Sequence, residues 1–583
     1  MGAFFLLRTG DYSALEAEIA EAERILSVSG FGTARKLVRP DLVIFAYPEI
    51  ISGELALKEF LNGDFVLTSG TFLFDGKSGV HAAEAFYERF SNYNLALDEA
   101  FGHFAVIIRK GTVTSVLSDK FGGYHVYLDK QRKVISSSLL VAAAFQKRLT
   151  CSRQAIFEYV FNGVVSGNET LFDEITLLPK DAKLTIEKRS VTFHASGSVP
   201  SLSFASMTVD ELLEQALADL DEYFAEVAKL FENRVVTALS GGYDSRLILA
   251  MLKRHGIAPR LYVYGRRSDG DVRLASAIAS GEGLSIDYID KEKDVVSVDD
   301  FAGIVEQNFY AVDGYIWSGI FDNGAEHRER ARRVAGGAMS LNGGGGEIYR
   351  NFFYLPDRTY EPRKLLWTFY AQFDPSSCTE LFNANRYYDA LEDKIAAVVG
   401  RRYTRLPRTI VEWLYHAFRC RAWDGKVNSI NSRFGSVGVP FLQATISEHA
   451  SQIPIHFKNH GAFEAALISH VDRRLASYAS SYGHDFEDAP PVRRIVHDWG
   501  TYFRPATIRR LTFRIKNRAR SNQTWNSHLN EPHVSSALPQ GINVLSRLFK
   551  LGNINSEPQF ARIISLEFCL MQFGSKVTYD FSL

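Results

Sequence analysis

Val235-Val236-Thr237-Ala238-Leu239-Ser240-Gly241-Gly242-Tyr243-Asp244-Ser245-Arg246-Leu247-Ile248-Leu249-Ala250-Met251 decides the reading of this chain. Val235 to Leu239 is a short apolar, largely β-branched run, as expected of a strand buried on both faces. Ser240 to Ser245 forms a tight glycine turn. Arg246 to Arg254 is rich in good helix formers, and Gly256 is placed to end the helix. A strand, a glycine turn and a helix start together make an anion site. The freed backbone N–H groups point at one spot, and the helix dipole favours negative charge there.

No lysine follows the glycines, so this is not the lysine-bearing nucleotide loop. The pattern S-G-G-x-D-S resembles the pyrophosphate (PP) loop of ATP pyrophosphatases, where ATP is cut between its α- and β-phosphates. The resemblance implies ATP and Mg²⁺ as cofactors. Ser240 and Ser245 are suited to donate to phosphate oxygens, with Gly241 and Gly242 between them. Asp244 is a hard oxygen ligand suited to Mg²⁺.

Outward from the loop, the alternation continues. Arg260 to Tyr264 reads as a strand, Asp271 to Ala279 as a helix and Leu284 to Ile289 as a strand. Such units imply a parallel sheet whose ligands gather at the carboxyl ends of the strands. In the resembled family the adenine is received there, mainly by backbone groups. That makes Ala238, Leu239, Val263 and Tyr264 candidates, with Val263 and Tyr264 equally readable as plain core strand. A second glycine run, Leu341-Asn342-Gly343-Gly344-Gly345-Gly346-Glu347-Ile348-Tyr349-Arg350, follows a short strand, Met339 to Leu341. It resembles the S-G-x-G-x-D-E segment of asparagine synthetases. Asn342 replaces the serine, and Gly343, Gly344 and Gly345 continue the cofactor-binding set. Glu347 replaces the aspartate that would share Mg²⁺ with Asp244. Ile348 replaces the acid that follows. Asp244, Glu347 and Tyr349 form the expected catalytic set.

Residues 1–195 are mostly β, with helices expected at Ala83 to Phe90 and Arg153 to Phe161. Three segments, Leu97 to Ala105, Ser118 to Tyr127 and Thr170 to Pro179, are similar in order to landmarks of the glutamine-hydrolysing domain of asparagine synthetases. That domain needs a cysteine at the start of the mature chain, whose thiolate attacks glutamine with the terminal amine as base. Here Gly2-Ala3-Phe4 follow Met1, and the first cysteine is Cys151. The expectation is a domain without glutaminase activity.

His194 to Met207 is rich in Ser, Gly and Pro, so residues 196–208 are expected to link the domains, with a helix from Val209 to Phe231 beyond them. Residues 209–583 then make up the second domain, with helices expected at Leu365 to Phe373, Tyr388 to Val399 and Thr409 to Ala422. Val437 to Leu442 resembles the R-x-P-F-L-D landmark, with Gln443 in place of aspartate. The family also has a lysine in a late loop. The matching stretch, Tyr478 to Asp485, has none, and His484, Arg473, Arg474 and Lys516 are the stand-ins. Arg504 to Arg520 carries seven basic residues and no acidic one. It reads either as a solvated face or as a patch for an anionic substrate.

The expected fold class is α/β: an α+β, Ntn-hydrolase-like, β-rich sandwich, then a doubly wound parallel-sheet PP-loop domain with a helical C-terminal part. A formal net charge of -1 over 583 residues gives no electrostatic case for nucleic acid or a membrane. The four scattered cysteines suit a cytoplasmic protein, and no apolar run reaches membrane length. The resemblance implies an AMP-forming amide ligase without glutaminase, like β-lactam synthetases and lasso-peptide cyclases, or like relatives that amidate a surface polysaccharide or natural-product precursor. Its partners would be a small-molecule or peptide carboxylate and an amine or ammonia, with a homodimer as one option. The alternative is a nucleotide-binding protein of the same fold that has lost catalysis.

Overall fold

The computed structural model describes residues 2–9, 12–90, 94–187, 190–195, 199–200, 203–519 and 525–579. Two six-stranded antiparallel sheets form the N-terminal domain. Ala3–Leu7 lies within the first, between Val134–Ser136 and Leu42–Tyr47. Phe104–Lys110 lies within the second, between Phe65–Gly70 and Val113–Ser118. The side-chain period of two explains the layering. Phe4 and Leu6 meet Leu67, Ile107 and Leu184 between the sheets. Ala3, Phe5 and Leu7 turn outward onto helices Glu16–Val28 and Leu139–Ala144, while Phe104, Val106 and Ile108 pack on helix Gly79–Arg89. The result is a four-layer helix–sheet–sheet–helix stack in which both faces of each sheet are buried.

The strand Ser190–Ala195 takes in His194, so the polar stretch begins later than its composition suggests. Residues 196–198 and 201–202 of the expected linker lie outside the described residues. Helix Val209–Phe231 opens on a capping box between Thr208 and Glu211, which satisfies two of its free N–H groups.

The second sheet system is parallel throughout. Its strands are β1 (Val235–Ala238), β2 (Arg260–Tyr264), β3 (Ile286–Ile289), β4 (Met339–Leu341) and β5 (Val437–Gly438), in spatial order β3-β2-β1-β4-β5. Helices α1 (Tyr243–Arg254) and α2 (Gly270–Gly281) cover one face through Leu239, Leu249, Val263 and Ala275. Strand β5 corrects the reading of the region after residue 355 as helical. It is two residues long, too short for a periodic signal. The helix expected from Thr409 to Ala422 runs from Arg408 to Asn431 and passes through a π-helical segment at Tyr415–Cys420. Such segments mark places where a helix is bent to present side chains. Among the described residues no helix is long and apolar enough to cross a membrane.

Among the contacts that join the halves are a strand pair and a buried carboxylate. Strand Val577–Tyr579 pairs in parallel with Leu149–Cys151 of the first domain. Asp313 caps the start of helix Leu139–Ala144, accepting from Ser138 Oγ at 2.5 Å and Leu139 N at 2.8 Å. It also faces Lys426 at 3.4 Å and Arg433 at 3.2 Å. Burial opposes its charge, but Lys426, Arg433 and the cap hold its pKa well below the usual carboxylate range. A carboxylate with a depressed pKa stabilises the fold above its unfolded pKa of about 3.9, and that contribution is lost as the pH falls further. Asp313→Asn is therefore expected to cost about 3–5 kcal/mol at pH 7, by leaving two cations buried without their anion. The difference should shrink at pH 3. Chemical denaturation at the two pH values checks this.

Candidate active site

Strands β1 and β4 pair in register, Val235 with Met339 and Thr237 with Leu341, so their C-terminal loops leave the sheet side by side. The first loop runs Ser240 to Gly242 into α1. Ser245 Oγ accepts from Ser240 N at 3.1 Å and lies 3.1 Å from Ser240 Oγ, and Ser240 Oγ accepts from Gly242 N at 3.2 Å. The two serines thus hold the turn and leave the start of α1 as an anion-facing end. In the second loop, Asn342 Oδ1 accepts from Gly344 N at 2.8 Å and folds the glycine run back on itself.

The loops touch at Asp244. A Cβ added to Gly346 would lie on Asp244 Oδ1 and 2.7 Å from its Cγ, and one on Gly343 would lie 3.2 Å from Asp244 Cβ. Glycine is required here for close approach, not for an unusual φ. Glu347, one residue on, accepts from Tyr415 Oη at 2.7 Å, a group supplied by the π-helical segment.

Between the carboxylates lies a residue that the sequence reading left unassigned. Arg350 Nη2 donates to both oxygens of Asp244 at 2.8 Å. The same nitrogen is 3.9 Å from Glu347 Oε1, and Nε is 2.9 Å from Glu464 Oε2. Nη1 donates to Tyr482 Oη at 2.9 Å. Glu464 is fully buried, and its carboxyl is pushed well above the usual range by burial and by Asp244 beside it. Asp244 is raised as well, by burial and by Glu347, with Arg350 opposing. On the far side of the glycine run, burial pushes Asp424 up to about 6. Four carboxyl groups thus surround two glycine loops. Sequence spacing gave no signal for Glu464, Asp424 or Tyr415, which come from distant helices. Arg350 stood within the quoted run, and its signal was a lone cation three residues after an acid.

The late segment, Tyr478 to Asp485, lies against the first glycine loop. Ser481 N donates to Gly241 O at 3.0 Å. The fully buried Arg246, from α1, donates to the carbonyls of Leu475, Tyr478 and Ala479 at 3.3, 2.7 and 2.8 Å and so ties this segment to the loop. The stand-ins stay outside the site. Arg473 pairs with Glu487, Arg474 pairs with Glu282, and Lys516 is exposed on helix Ala506–Ala519. His484 packs beside Phe486.

Several expected site residues need correction. Tyr349 is a core residue, 1% exposed, stacked on Phe463 and edge-on to Phe441. It follows Glu347 by two positions and so falls on the opposite side of the turn. The side chains of Leu239 and Val263 are packed under α1 and α2, so only their backbone groups are available. Tyr264 faces the other side of the sheet, where its hydroxyl accepts from Arg333. In the basic stretch, Arg509 is spent on the carbonyls of Phe353 and Tyr354. Arg510 sits 4.6 Å from the Trp367 ring centre. The Arg518 side chain and Arg520 lie outside the described residues. Cys151 is a buried strand residue whose thiol is raised far above its ordinary range by burial, which suits core packing and not a nucleophile. A Cβ on Gly2 would lie 2.7 Å from a Phe31 ring carbon and 2.9 Å from Pro48 O, so that position has no room for a side chain.

Among the described residues no three His, Cys, Asp or Glu side chains are grouped so as to hold a metal by themselves. Asp244 and Glu347 fit a magnesium ion that arrives with nucleotide phosphates, because that ion takes one or two carboxylates and completes its shell with phosphate oxygens and water.

No family model matches the sequence, and no curated protein matches it. Solved structures with similarity include the glutamine phosphoribosylpyrophosphate amidotransferase of B. subtilis complexed with ADP and GMP, at 11% identity and a TM-score of 0.21, covering 49% of this chain and 65% of that one. Another is described as the allosteric regulatory enzyme of purine biosynthesis, at 12% identity and a TM-score of 0.23, covering 50% of this chain and 66% of that one. The chain thus spans just under two thirds of the length of each.

Gly346→Ala tests the contact between the loops. A methyl group there has to displace Asp244, while helix position Gly500 has open space around it. Gly346→Ala is expected to weaken ATP binding at least tenfold with the circular dichroism unchanged. Gly500→Ala should bind as the parent does. Isothermal titration of both variants checks this.

Proposed function

We propose that the chain is an ATP-dependent, AMP-forming carbon–nitrogen ligase that adenylates a substrate carboxylate and passes the acyl group to an amine or ammonia, without glutamine hydrolysis. The observation that carries this reading is the meeting of two glycine loops at Asp244, at the carboxyl ends of neighbouring parallel strands. In this reading the backbone N–H groups at the start of α1 hold the β- and γ-phosphates of ATP. Asp244 and Glu347 hold the magnesium ion, which, when bound, offsets the charge that builds on the leaving pyrophosphate. The substrate carboxylate attacks the α-phosphorus, a new P–O bond forms, and the bond to the β-phosphate oxygen breaks. The amine then attacks the acyl carbon, AMP leaves with the bonding pair, and the amine loses a proton.

Arg350 supplies the fixed positive charge, in a partly buried place where charge is worth more than in water. Tyr482 accepts from Arg350 Nη1, and Glu464 lies 2.9 Å from Arg350 Nε. The N-terminal four-layer domain is read as an amidotransferase-like module whose role is structural, since Gly2 has no room for a nucleophilic side chain and Cys151 is core.

The second reading, a nucleotide-binding protein without turnover, is favoured by one feature: Arg350 already neutralises Asp244. Product analysis separates the two. A ligase incubated with ATP, Mg²⁺ and a pool of candidate acids and amines should form AMP and pyrophosphate in equal amounts. ADP and phosphate would reject the adenylation reading, and bound but unchanged ATP would select the second one. Asp244→Asn is expected to lower pyrophosphate release at least a hundredfold. Glutamine should yield no glutamate in the same assay.

A further inference from the structure

On the face of the sheet away from α1 and α2 lies a cavity of about 890 Å³. Asp244 and Glu347 do not line it, whereas Ala238, Tyr264 and Asn342, the candidates for the nucleotide, do. Its floor is made by side chains that alternate away from the packed face: Ala238, Tyr262, Tyr264 and Ser340. Asn342, the first residue of the second glycine loop, also lines it, so the cavity adjoins the candidate active site. Helix α3 (Ala325–Arg333) forms another wall and brings basic groups to it.

The charge arrangement of that wall is uneven. Lys291 Nζ lies 2.5 Å from Glu326 Oε2 and 3.4 Å from the Tyr264 ring centre. Arg333 Nη2 lies 3.0 Å from Glu326 Oε1. Both are therefore served by Glu326. Arg330 shares the same acid, but at longer range and without a hydrogen bond to it. It is 6% exposed, it approaches Glu326 only to 3.8 Å, and its Nε has no hydrogen-bond partner. The acid beside it, Asp322, is committed to Gly324 N at 2.7 Å and to Asn308 Nδ2 at 3.1 Å. A buried guanidinium with an unfilled donor is costly unless an anion completes it. Trp317 and Trp525 add flat apolar walls. A cavity of this size matches ligands larger than a single small acid, because pockets for drug-sized molecules span about 300–1,000 Å³.

We propose that this cavity takes the acid substrate, a peptide-sized molecule, and that Arg330 receives its carboxylate or a second anionic group. The proposal rests on the ligase reading for the role of that acid, and it adds the size class and the recognising residue.

The test uses the full chain and two mixtures of N-acetylated tetrapeptides built without acidic residues, one with free C-terminal carboxylates and one amidated. Peptides retained by the protein are measured by mass spectrometry. The free acids should be retained at least tenfold better than the amides. Arg330→Gln should abolish that preference, and Arg330→Lys should keep part of it. Equal retention of both mixtures, retention of neither, or an unchanged preference in Arg330→Gln would overturn the proposal. The comparison of the two mixtures on the parent protein needs no variant, so a misfolded Arg330→Gln does not blunt it. ATP with magnesium is titrated separately. Its failure to bind would sink the ligase reading, while the acid preference at Arg330 would still decide this one.

Discussion

The candidate site depends on the parallel pairing of β1 with β4. That pairing places Thr237 beside Leu341, so two loops about a hundred residues apart emerge at one rim. Their contact is closer than side chains allow, and Gly346 makes it possible. Every polar feature of the site follows from that approach. Asp244 is brought against the second loop, Arg350 reaches back from that loop to Asp244, and Glu464 and Tyr482 hold the guanidinium from the other side.

The electrostatic cost of this arrangement explains its surroundings. Burial raises the pKa values of Asp244, Glu464 and Asp424, and repulsion from neighbouring carboxylates adds to the rise. Arg350 relieves part of that strain at Asp244 and Glu464, and Arg419 relieves part of it at Asp424. In the proposed reading a magnesium–nucleotide complex would compete with Arg350 for Asp244. Asp313 and the Val577–Tyr579 strand tie the second half of the chain, which supplies the site, to the first.

Much of this was legible in the sequence, for physical reasons that differ by residue. The strand–turn–helix at Val235 to Met251 was readable because burial on both faces, glycine turns and helix propensity each leave a local trace. The second loop was readable because four adjacent glycines have no role in a plain core strand. Arg350, Glu464 and Asp424 were not readable as partners, because nothing local distinguishes a buried, paired charge from a solvated one. Tyr349 was misplaced because a tight turn rotates successive residues to opposite sides, and pattern alone does not fix that rotation. The side chains of Leu239 and Val263 belong to the core under α1 and α2, which leaves only the backbone groups that the sequence reading had offered. The π-helical segment at Tyr415–Cys420 left no trace, since one widened turn is too short to be read as a change of period.

The most direct measurement of the central claim is a crystal structure of the protein with α,β-methylene-ATP and magnesium. The account predicts the β- and γ-phosphates over the backbone of Ser240 to Ser245, the metal within reach of Asp244 and Glu347, and Arg350 moved off at least one Asp244 oxygen. A nucleotide bound elsewhere, or phosphates that leave the Asp244–Arg350 pair and the Gly346 contact untouched, would contradict it.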